Sequence, residues 1–382
     1  MKLLFASDSF KGSLSSGQTI ALLTKAAKEV FGDCECVGVP VADGGEGTAE
    51  AVIAATNGTR IFAAVHNPLM QPIEASYGIF EGKAIIEMAA ASGLPLIPEA
   101  LRNPLRTTSF GTGELIRDAL RRGCRDITVA IGGSATNDGG IGCLRALGAR
   151  FYDNRGNELD GTGADLARVA DIDLSGLDKR IRESAITVLC DVKNPLCGEN
   201  GATRMFSRQK GATAEMTEAL ESGMCRYRDV IQATTGIDCD AVEGAGAAGG
   251  LGAALKVFLG GAMRSGIDAV LNLIHFDELL DGVDLVVTGE GKTDCQSACG
   301  KVMQGVAKRA KAKGIPVAGL SGSLGAGAEA LYSDGVCSLM TTVSAPVTLE
   351  EAMQNAETLY RDAAVRMFRL IQIGMRIKVE NR

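Results

Sequence analysis

The 382-residue chain has no tryptophan, 4% aromatic residues and two histidines. So little histidine argues against a histidine-centred catalytic triad and against a histidine-rich zinc site. The formal net charge of −7 and the sparse aromatic residues argue against nucleic acid as a partner. Phosphate backbones are bound by basic surfaces, and exposed bases by aromatic side chains. We therefore expect no nucleic-acid function.

Long apolar runs are also absent. The most apolar longer stretch, residues 247–262, is interrupted by Lys256 and is shorter than the roughly 20 residues that a membrane span needs. The opening MKLLFA is interrupted by Asp8 and is followed by no small-residue cleavage site, so it does not resemble a signal peptide. These features predict a protein without a membrane segment.

Cysteine is plentiful but has no regular framework. The chain has 11 cysteines, an odd number, and the only close pairs are Cys34 with Cys36 and Cys295 with Cys299. This usage is typical of reduced thiols rather than of disulfides or a metal site. We therefore expect a cytoplasmic protein.

Glycine is abundant, at 49 residues, which is nearly twice the usual share of about 7%. Apolar strands alternate with amphipathic helices near both chain ends, whereas residues 60–90 read as strands joined by short turns, which favours antiparallel pairing. We predict an α/β protein of two domains. Both chain ends, 1–65 and 283–382, would form a doubly wound parallel-sheet domain that ends in one long helix over 349–371. Residues 66–282 would form an inserted mixed-sheet α/β domain.

The stretch GGSATNDGG, residues 132–140, joins a predicted strand to a predicted helix. The first amides of a helix lack partners and its dipole is positive there, so such a corner stabilises an anion. A second stretch, DGGEG at 43–47, repeats the D-G-G-x-G form in the same setting. The first stretch predicts phosphate binding by Gly132, Gly133, Ser134, Thr136 and Asn137.

Charged residues also follow two predicted strands. GEGKT at 289–293 is not a P-loop, because Val286 stands where that motif needs glycine. Its position still predicts a ligand site, since open α/β sheets bind ligands at the carboxyl ends of their strands. In DSFKGS at 8–13, Asp8 could bind a metal or cap a turn. The predicted phosphate or substrate contacts in these regions are Lys11, Ser13, Gly291, Lys292 and Lys301.

Carboxylates recur at strand ends and helix starts. Mg²⁺ is usually held by one or two carboxylates together with substrate phosphates, and we predict Asp43 and Glu290 for this role. Phosphoryl transfer also needs a carboxylate that accepts the proton of the attacking hydroxyl. Either Asp191 or Asp43 could do so. We predict that the catalytic residues are Lys11, Asp43, Asp191, Lys292 and Asp294.

Two other functions remain open at this level. GAGAAG at 244–249 fits the G-x-G-x-x-G pattern of dinucleotide-binding loops, which would suit an NAD(P)-dependent oxidoreductase. The preceding DCDAVE is a poor buried strand, and the motif falls deep in the chain. The other alternative is a protein that binds a phosphorylated metabolite without turnover.

Several motifs resemble the two-domain bacterial glycerate kinase family. In chain order these are ASDSFKGS, VPVADGGEGT, EMAAASGL, TTSFGTGELI, GGSATNDGG, CDVKNPL, GAGAAGGLGAAL and GEGKTDCQSACGK. The resemblance implies ATP- and Mg²⁺-dependent phosphorylation of D-glycerate, usually to 2-phosphoglycerate, in the cleft between two α/β domains. Ser7, Lys292 and Met303 depart from residues common in the family. Which domain holds ATP, and whether the chain is a monomer or a homodimer, stay open.

Overall fold

The computed structural model describes residues 1–298 and 300–377. Cys299, the close sequence neighbour of Cys295, lies outside this part of the chain. Two compact units are formed. Unit 1 comprises residues 1–43, 50–56 and the described residues from 266 onward, and unit 2 comprises residues 44–49 and 57–265.

The strands within the described residues are, in chain order, β1 (Lys2–Phe5), β2 (Glu35–Gly38), β3 (Thr59–His66), β4 (Pro72–Phe80), β5 (Lys83–Glu87), β6 (Asp126–Ala130), β7 (Arg150–Tyr152), β8 (Asp171–Asp173), β9 (Ala185–Leu189), β10 (Ala262–Arg264), β11 (Leu285–Thr288), β12 (Lys292–Thr293), β13 (Val317–Ser321), β14 (Ser323–Leu324) and β15 (Val336–Thr341).

The α-helices within the same residues are α1 (Ser16–Phe31), α2 (Thr48–Thr56), α3 (Ala89–Ser92), α4 (Phe110–Arg121), α5 (Ile141–Ala146), α6 (Ala202–Phe206), α7 (Ala214–Thr235), α8 (Leu251–Leu259), α9 (Gly266–Leu273), α10 (Phe276–Leu279), α11 (Val302–Ala312), α12 (Leu331–Asp334), α13 (Leu349–Gln354) and α14 (Ala356–Arg376).

Unit 1 contains a parallel five-stranded sheet with the order β15-β13-β11-β1-β2. The chain builds outward from β1 to β2 on one side and from β11 to β15 on the other, so the strand order reverses between β1 and β11. Helix α14 covers the sheet with Tyr360, Ala363, Ala364, Met367 and Phe368, which are buried at the spacing of one helix face. This is the predicted doubly wound architecture.

Unit 2 contains a mixed six-stranded sheet with the order β10-β9-β6-β5-β4-β3. The pairs β3–β4 and β4–β5 are antiparallel, as predicted for residues 60–90, and the remaining pairs are parallel. The central strand β6 is almost fully buried, and α4, α5 and α8 supply further core residues such as Leu115, Leu144 and Leu255. The mixed-sheet prediction is confirmed.

The units do not divide at the residues proposed as domain boundaries. Strand β3 is hydrogen-bonded to β4 along its length and belongs to unit 2, whereas α9 and α10 belong to unit 1. The domain boundaries at 65/66 and 282/283 stay a prediction. None of the described helices is long and apolar enough to cross a membrane.

Candidate active site

A cavity of about 760 Å³ lies at the carboxyl end of the unit 1 sheet. Every strand of that sheet leads into it, because its lining residues follow β1 (Asp8 to Leu14), β2 (Asp43), β11 (Glu290 to Lys292), β13 (Gly322 and Ser323) and β15 (from Thr342). It therefore includes the point between β1 and β11 where the strand order reverses. Open α/β sheets bind ligands at such a point.

Asp8 shares this cavity with two other carboxyl groups, those of Asp43 and Glu290. Burial, together with the nearby Asp43 and Glu290 carboxylates, raises the pKa of Asp8 to about 7 against the opposing effects of the Ser9 amide and Lys11. The Ser9 N–H donates to Asp8 Oδ1 at 2.7 Å. Asp8 therefore holds its proton more tightly than an ordinary carboxyl group does, since burial and like charges close by both disfavour its ionised form.

Glu290 is the most buried of the three, at 7% exposure. Burial raises the pKa of its carboxyl group, and hydrogen bonds from Ser297 and Thr293 partly oppose that rise. Thr293 Oγ1 lies 3.0 Å from Glu290 Oε1 and 2.7 Å from Ser321 Oγ. These hydroxyl groups fix the orientation of the Glu290 carboxylate.

Cationic side chains face the same cavity. Lys11, Lys292 and Lys301 all line it, and Lys301 acts to lower the pKa of Glu290. The mixture of acids and lysines suits a ligand that carries both a divalent cation and several negative oxygens.

The cavity thus unites most of the unit 1 residues that were predicted from the sequence. Those that line it are Lys11, Ser13, Asp43, Glu290, Gly291, Lys292 and Lys301. Asp294 is not among the lining residues. Its carboxylate lies 3.0 Å from Lys292 Nζ and accepts the Gln296 N–H at 2.9 Å, so it positions Lys292 and the turn that follows.

A cation bound here would need oxygen ligands from outside the protein. Among the described residues, the trio whose possible ligand atoms all lie within 4.8 Å of one another is Cys197, Glu221 and Cys225, not the three carboxyl groups of the cavity. Mg²⁺ commonly takes one or two carboxylates and completes its shell with water and phosphate oxygens. The carboxylate oxygens of Asp8, Asp43 and Glu290 are ligands of the kind that Mg²⁺ takes.

In unit 2, the GGSATNDGG loop is held by its own aspartate. Asp138 is fully buried, and one of its oxygens accepts the Ser109 N–H and the Ser109 hydroxyl, both at 2.7 Å. The amides of Gly140 and Gly142 also donate to this carboxylate, at 3.2 Å, and the Cys143 amide donates to Ser109 Oγ at 3.0 Å. The first amides of α5 are therefore paired within the chain.

The five predicted phosphate-binding residues of the loop differ in accessibility. Gly132 and Gly133 are exposed and Ser134 is half-buried. Thr136 and Asn137 are fully buried, and Asn137 Nδ2 donates to Thr203 Oγ1 at 3.1 Å. A ligand can reach the backbone at residues 132–134, whereas the side chains of Thr136 and Asn137 lie inside the unit.

The GAGAAG loop packs directly on that stretch. Gly249 accepts the Gly139 amide at 3.0 Å, and a Cβ atom at Gly249 would lie 2.1 Å from the Thr136 carbonyl oxygen. Its positive φ of 66° also favours glycine. Close backbone packing accounts for these glycines, so the oxidoreductase alternative gains no support from them.

Asp191 lies in the exposed segment that follows β9, in unit 2. Beside it, Lys193 Nζ lies 2.7 Å from Glu243 Oε1. Asp191 is not among the residues that line the unit 1 cavity, and its role as the base stays a prediction. Asp8, for which the sequence left open metal binding or capping of a turn, was not among the predicted metal ligands, although its place directly after β1 was the signal that could have singled it out.

Comparison with known proteins decides the family. The model of the glycerate kinase family matches residues 3–372. The chain belongs to the glycerate kinase family. It is 47% identical over 378 residues to the glycerate 2-kinase of Escherichia coli K12, covering 98% of this chain and 99% of that protein.

Two further comparisons agree with this membership. The glycerate kinase of Bacillus subtilis 168 is 46% identical over 358 residues, covering 93% of this chain and 94% of that protein. A crystal structure of a candidate glycerate kinase 2 from Salmonella typhimurium LT2 superposes with a TM-score of 0.88 at 44% identity, covering 99% of this chain and 100% of that one. The protein is thus an enzyme of the kinase class, and its fold is that of the family.

Proposed function

We propose that this kinase transfers the γ-phosphoryl group of ATP to the C2 hydroxyl of D-glycerate. The observation that carries the proposal is the cavity of unit 1, where Asp8, Asp43 and Glu290 meet Lys11, Lys292 and Lys301. Glycerate kinases of more than 40% identity support the substrate, and the E. coli relative's name supports the 2-position.

Asp8, Asp43 and Glu290 would hold Mg²⁺, with Thr293 and Ser321 keeping Glu290 in place. A bound Mg²⁺ would neutralise phosphate charge and orient the phosphates. The three lysines would neutralise the remaining oxygen charge of the phosphates or of the glycerate carboxylate. We retain Gly132, Gly133 and Ser134 as proposed phosphate contacts, and we propose that Thr136 and Asn137 maintain the shape of that loop.

In the reaction, the C2 hydroxyl oxygen forms a bond to the γ-phosphorus while the bond from that phosphorus to the β–γ bridging oxygen breaks. ADP leaves, and the hydroxyl proton passes to a carboxylate. Asp43 and Asp191 are the candidates for this base. The reaction does not require a redox partner. We also propose a cytoplasmic location, which is consistent with the ten described cysteines being free of disulfides.

The test is ADP release from the purified protein with Mg²⁺–ATP and D-glycerate, followed by phosphorus NMR of the product. We expect glycerate-dependent ADP and a phosphate resonance split by one proton, because C2 carries a single hydrogen. A resonance split by two protons would place the phosphate on C3. Failure to release ADP with glycerate and related hydroxy acids would refute the kinase proposal.

A second experiment identifies the base. We expect replacement of the base by asparagine to reduce kcat by about 10²- to 10⁴-fold and to remove the basic group from the pH profile. Asp43→Asn and Asp191→Asn are compared with Asp33→Asn, an exposed unit 1 aspartate that does not line the cavity. A variant with normal turnover and an unchanged pH profile would lose its candidacy.

A further inference from the structure

The unit 1 cavity has a second, apolar wall that the phosphoryl-transfer chemistry does not use. It is formed by the chain that follows β15, and its larger side chains are Val343, Pro346, Val347, Leu349 and Met353. Three of these apolar residues are unusually accessible: Leu349 is 77% exposed, Val347 45% and Met353 39%. Adjacent exposed apolar side chains beside a polar site commonly mark a binding surface.

This wall is held in a defined conformation. Thr348 caps α13, where its hydroxyl oxygen accepts the Glu351 N–H at 3.2 Å and its own amide donates to the Glu351 carboxylate at 2.9 Å. The reciprocal pair is a capping box, which fixes the entry of the chain into the helix. Leu349 and Met353 lie four residues apart and therefore share one face of the helix.

The opposite polarity of the two walls restricts the ligand. D-glycerate carries a carboxylate and two hydroxyl groups on three carbons, so it has almost no apolar surface to place against five apolar side chains. ATP has a flat base at one end and phosphates at the other. A cavity of about 760 Å³ also far exceeds the volume that a three-carbon acid needs.

We infer that unit 1 carries the nucleotide subsite, with the purine base of ATP against residues 343–353 and the phosphates toward Asp8, Asp43, Glu290 and the lysines. This inference rests on the proposed function, since it assigns the place of the phosphate donor. It also assigns a task to the segment after β15, for which the sequence offered no motif. The base is bound there chiefly by apolar contact.

Leu349 provides the sharpest substitution. Leu349→Asn removes most of the apolar contact without adding a charge that would repel phosphate. Because the residue is exposed and lies at the start of α13, the change should not unfold the protein. The matched control is Leu101→Asn, a leucine with 58% exposure in unit 2. Leu349→Asn combined with Met353→Gln enlarges the expected effect.

Calorimetric titration with Mg²⁺–ADP measures the nucleotide affinity without requiring turnover. We expect Leu349→Asn to raise Kd about 5- to 10-fold, the double variant more, and Leu101→Asn to leave it unchanged. The KM for D-glycerate should change less than twofold. Photolabelling of the full-length enzyme with 8-azido-ATP should modify peptides within residues 343–356.

The inferred nucleotide subsite would be overturned if both Leu349 variants bound Mg²⁺–ADP with unchanged affinity, or if the photolabel modified unit 2 peptides instead. Either result would leave the proposed glycerate kinase activity intact. Wild-type protein that neither binds Mg²⁺–ADP nor releases ADP with glycerate would refute the proposed function, and the subsite with it. The two failures are therefore distinguishable.

Discussion

Lys210 Nζ donates a 2.7 Å hydrogen bond to the carbonyl oxygen of Thr136, inside unit 2. The lysine side chain is only 2% exposed. Burial lowers the pKa of Lys210 to about 7, and the buried Asp138 carboxylate opposes that effect. A cation so enclosed is costly unless it is paired. Its position behind the GGSATNDGG loop shows that this loop is supported from the interior of unit 2.

Lys210 should make the stability of the protein depend on pH above neutrality. Its pKa in the folded state is about 7, below the ordinary 10.5 of an unfolded chain. Between these values the unfolded state binds more protons, so this group makes the free energy of unfolding rise with pH. We expect urea unfolding to show that rise across pH 7–10, and Lys210→Met to lack this contribution. If the free energy of unfolding changes with pH by the same amount in the wild type and in Lys210→Met, Lys210 is not the group responsible for the rise.

Asp8 should show the opposite behaviour. Its folded-state pKa is raised to about 7, so the folded protein holds a proton that the unfolded chain has lost, and stability falls as pH rises from about 4 to 7. We expect Asp8→Asn to raise the free energy of unfolding at pH 8 by about 1–3 kcal/mol while reducing turnover at least 100-fold. Chemical denaturation and the ADP-release assay measure the two effects.

The control for Asp8 is Asp33→Asn, which should alter neither property. Mg²⁺ provides a further check, because an ion that binds the folded state raises its stability. Added Mg²⁺ should stabilise the wild type more than Asp8→Asn. Equal stabilisation by Mg²⁺ would remove Asp8 from the set of proposed metal ligands.

Asp138→Asn should destabilise unit 2. The carboxylate accepts hydrogen bonds from Ser109, Gly140 and Gly142, and an amide group would place N–H donors against those donors. Loss of charge-assisted bonds in a fully buried site should reduce the free energy of unfolding by about 2–4 kcal/mol. Asp160→Asn, at an exposed position of unit 2, is the matched control. Equal urea midpoints for both variants would show that Asp138 is not required to hold α5.

The fold could be predicted because its signals are local. Apolar strands alternating with amphipathic helices indicated the doubly wound sheet, and the short turns near residues 67–72 and 81–82 indicated the antiparallel strands. The final helix was less accurately predicted. The structure has α13 and α14 instead of one helix over 349–371, because the chain leaves helical geometry at Asn355, with φ −103° and ψ 18°.

The site was only partly predictable because burial depends on distant residues. Strand ends were sufficient to identify Asp43, Glu290 and Lys11 as neighbours. By contrast, no sequence pattern shows that Ser109, 29 residues before Asp138, completes the pairing of the α5 amides. The apolar wall after β15 was missed for a similar reason, since Leu349 and Val347 read as ordinary apolar residues until the chain places them beside charged groups.

Two glycine-to-alanine substitutions should have opposite effects on stability. Gly113, in α4, has an ordinary backbone conformation, but a Cβ atom there would lie 2.2 Å from the Cys143 carbonyl oxygen of α5. Gly113→Ala should therefore force α4 and α5 apart and lower the free energy of unfolding by about 1–3 kcal/mol. Gly17, in α1, has no neighbour closer than Ser15 Oγ at 4.0 Å. Gly17→Ala should raise the same free energy by about 0.4–1 kcal/mol, because alanine restricts the unfolded chain. Urea midpoints measure both. An unchanged midpoint in Gly113→Ala would show that the spacing of α4 and α5 does not require glycine, and a lowered midpoint in Gly17→Ala would contradict the expectation that alanine is accommodated there without strain.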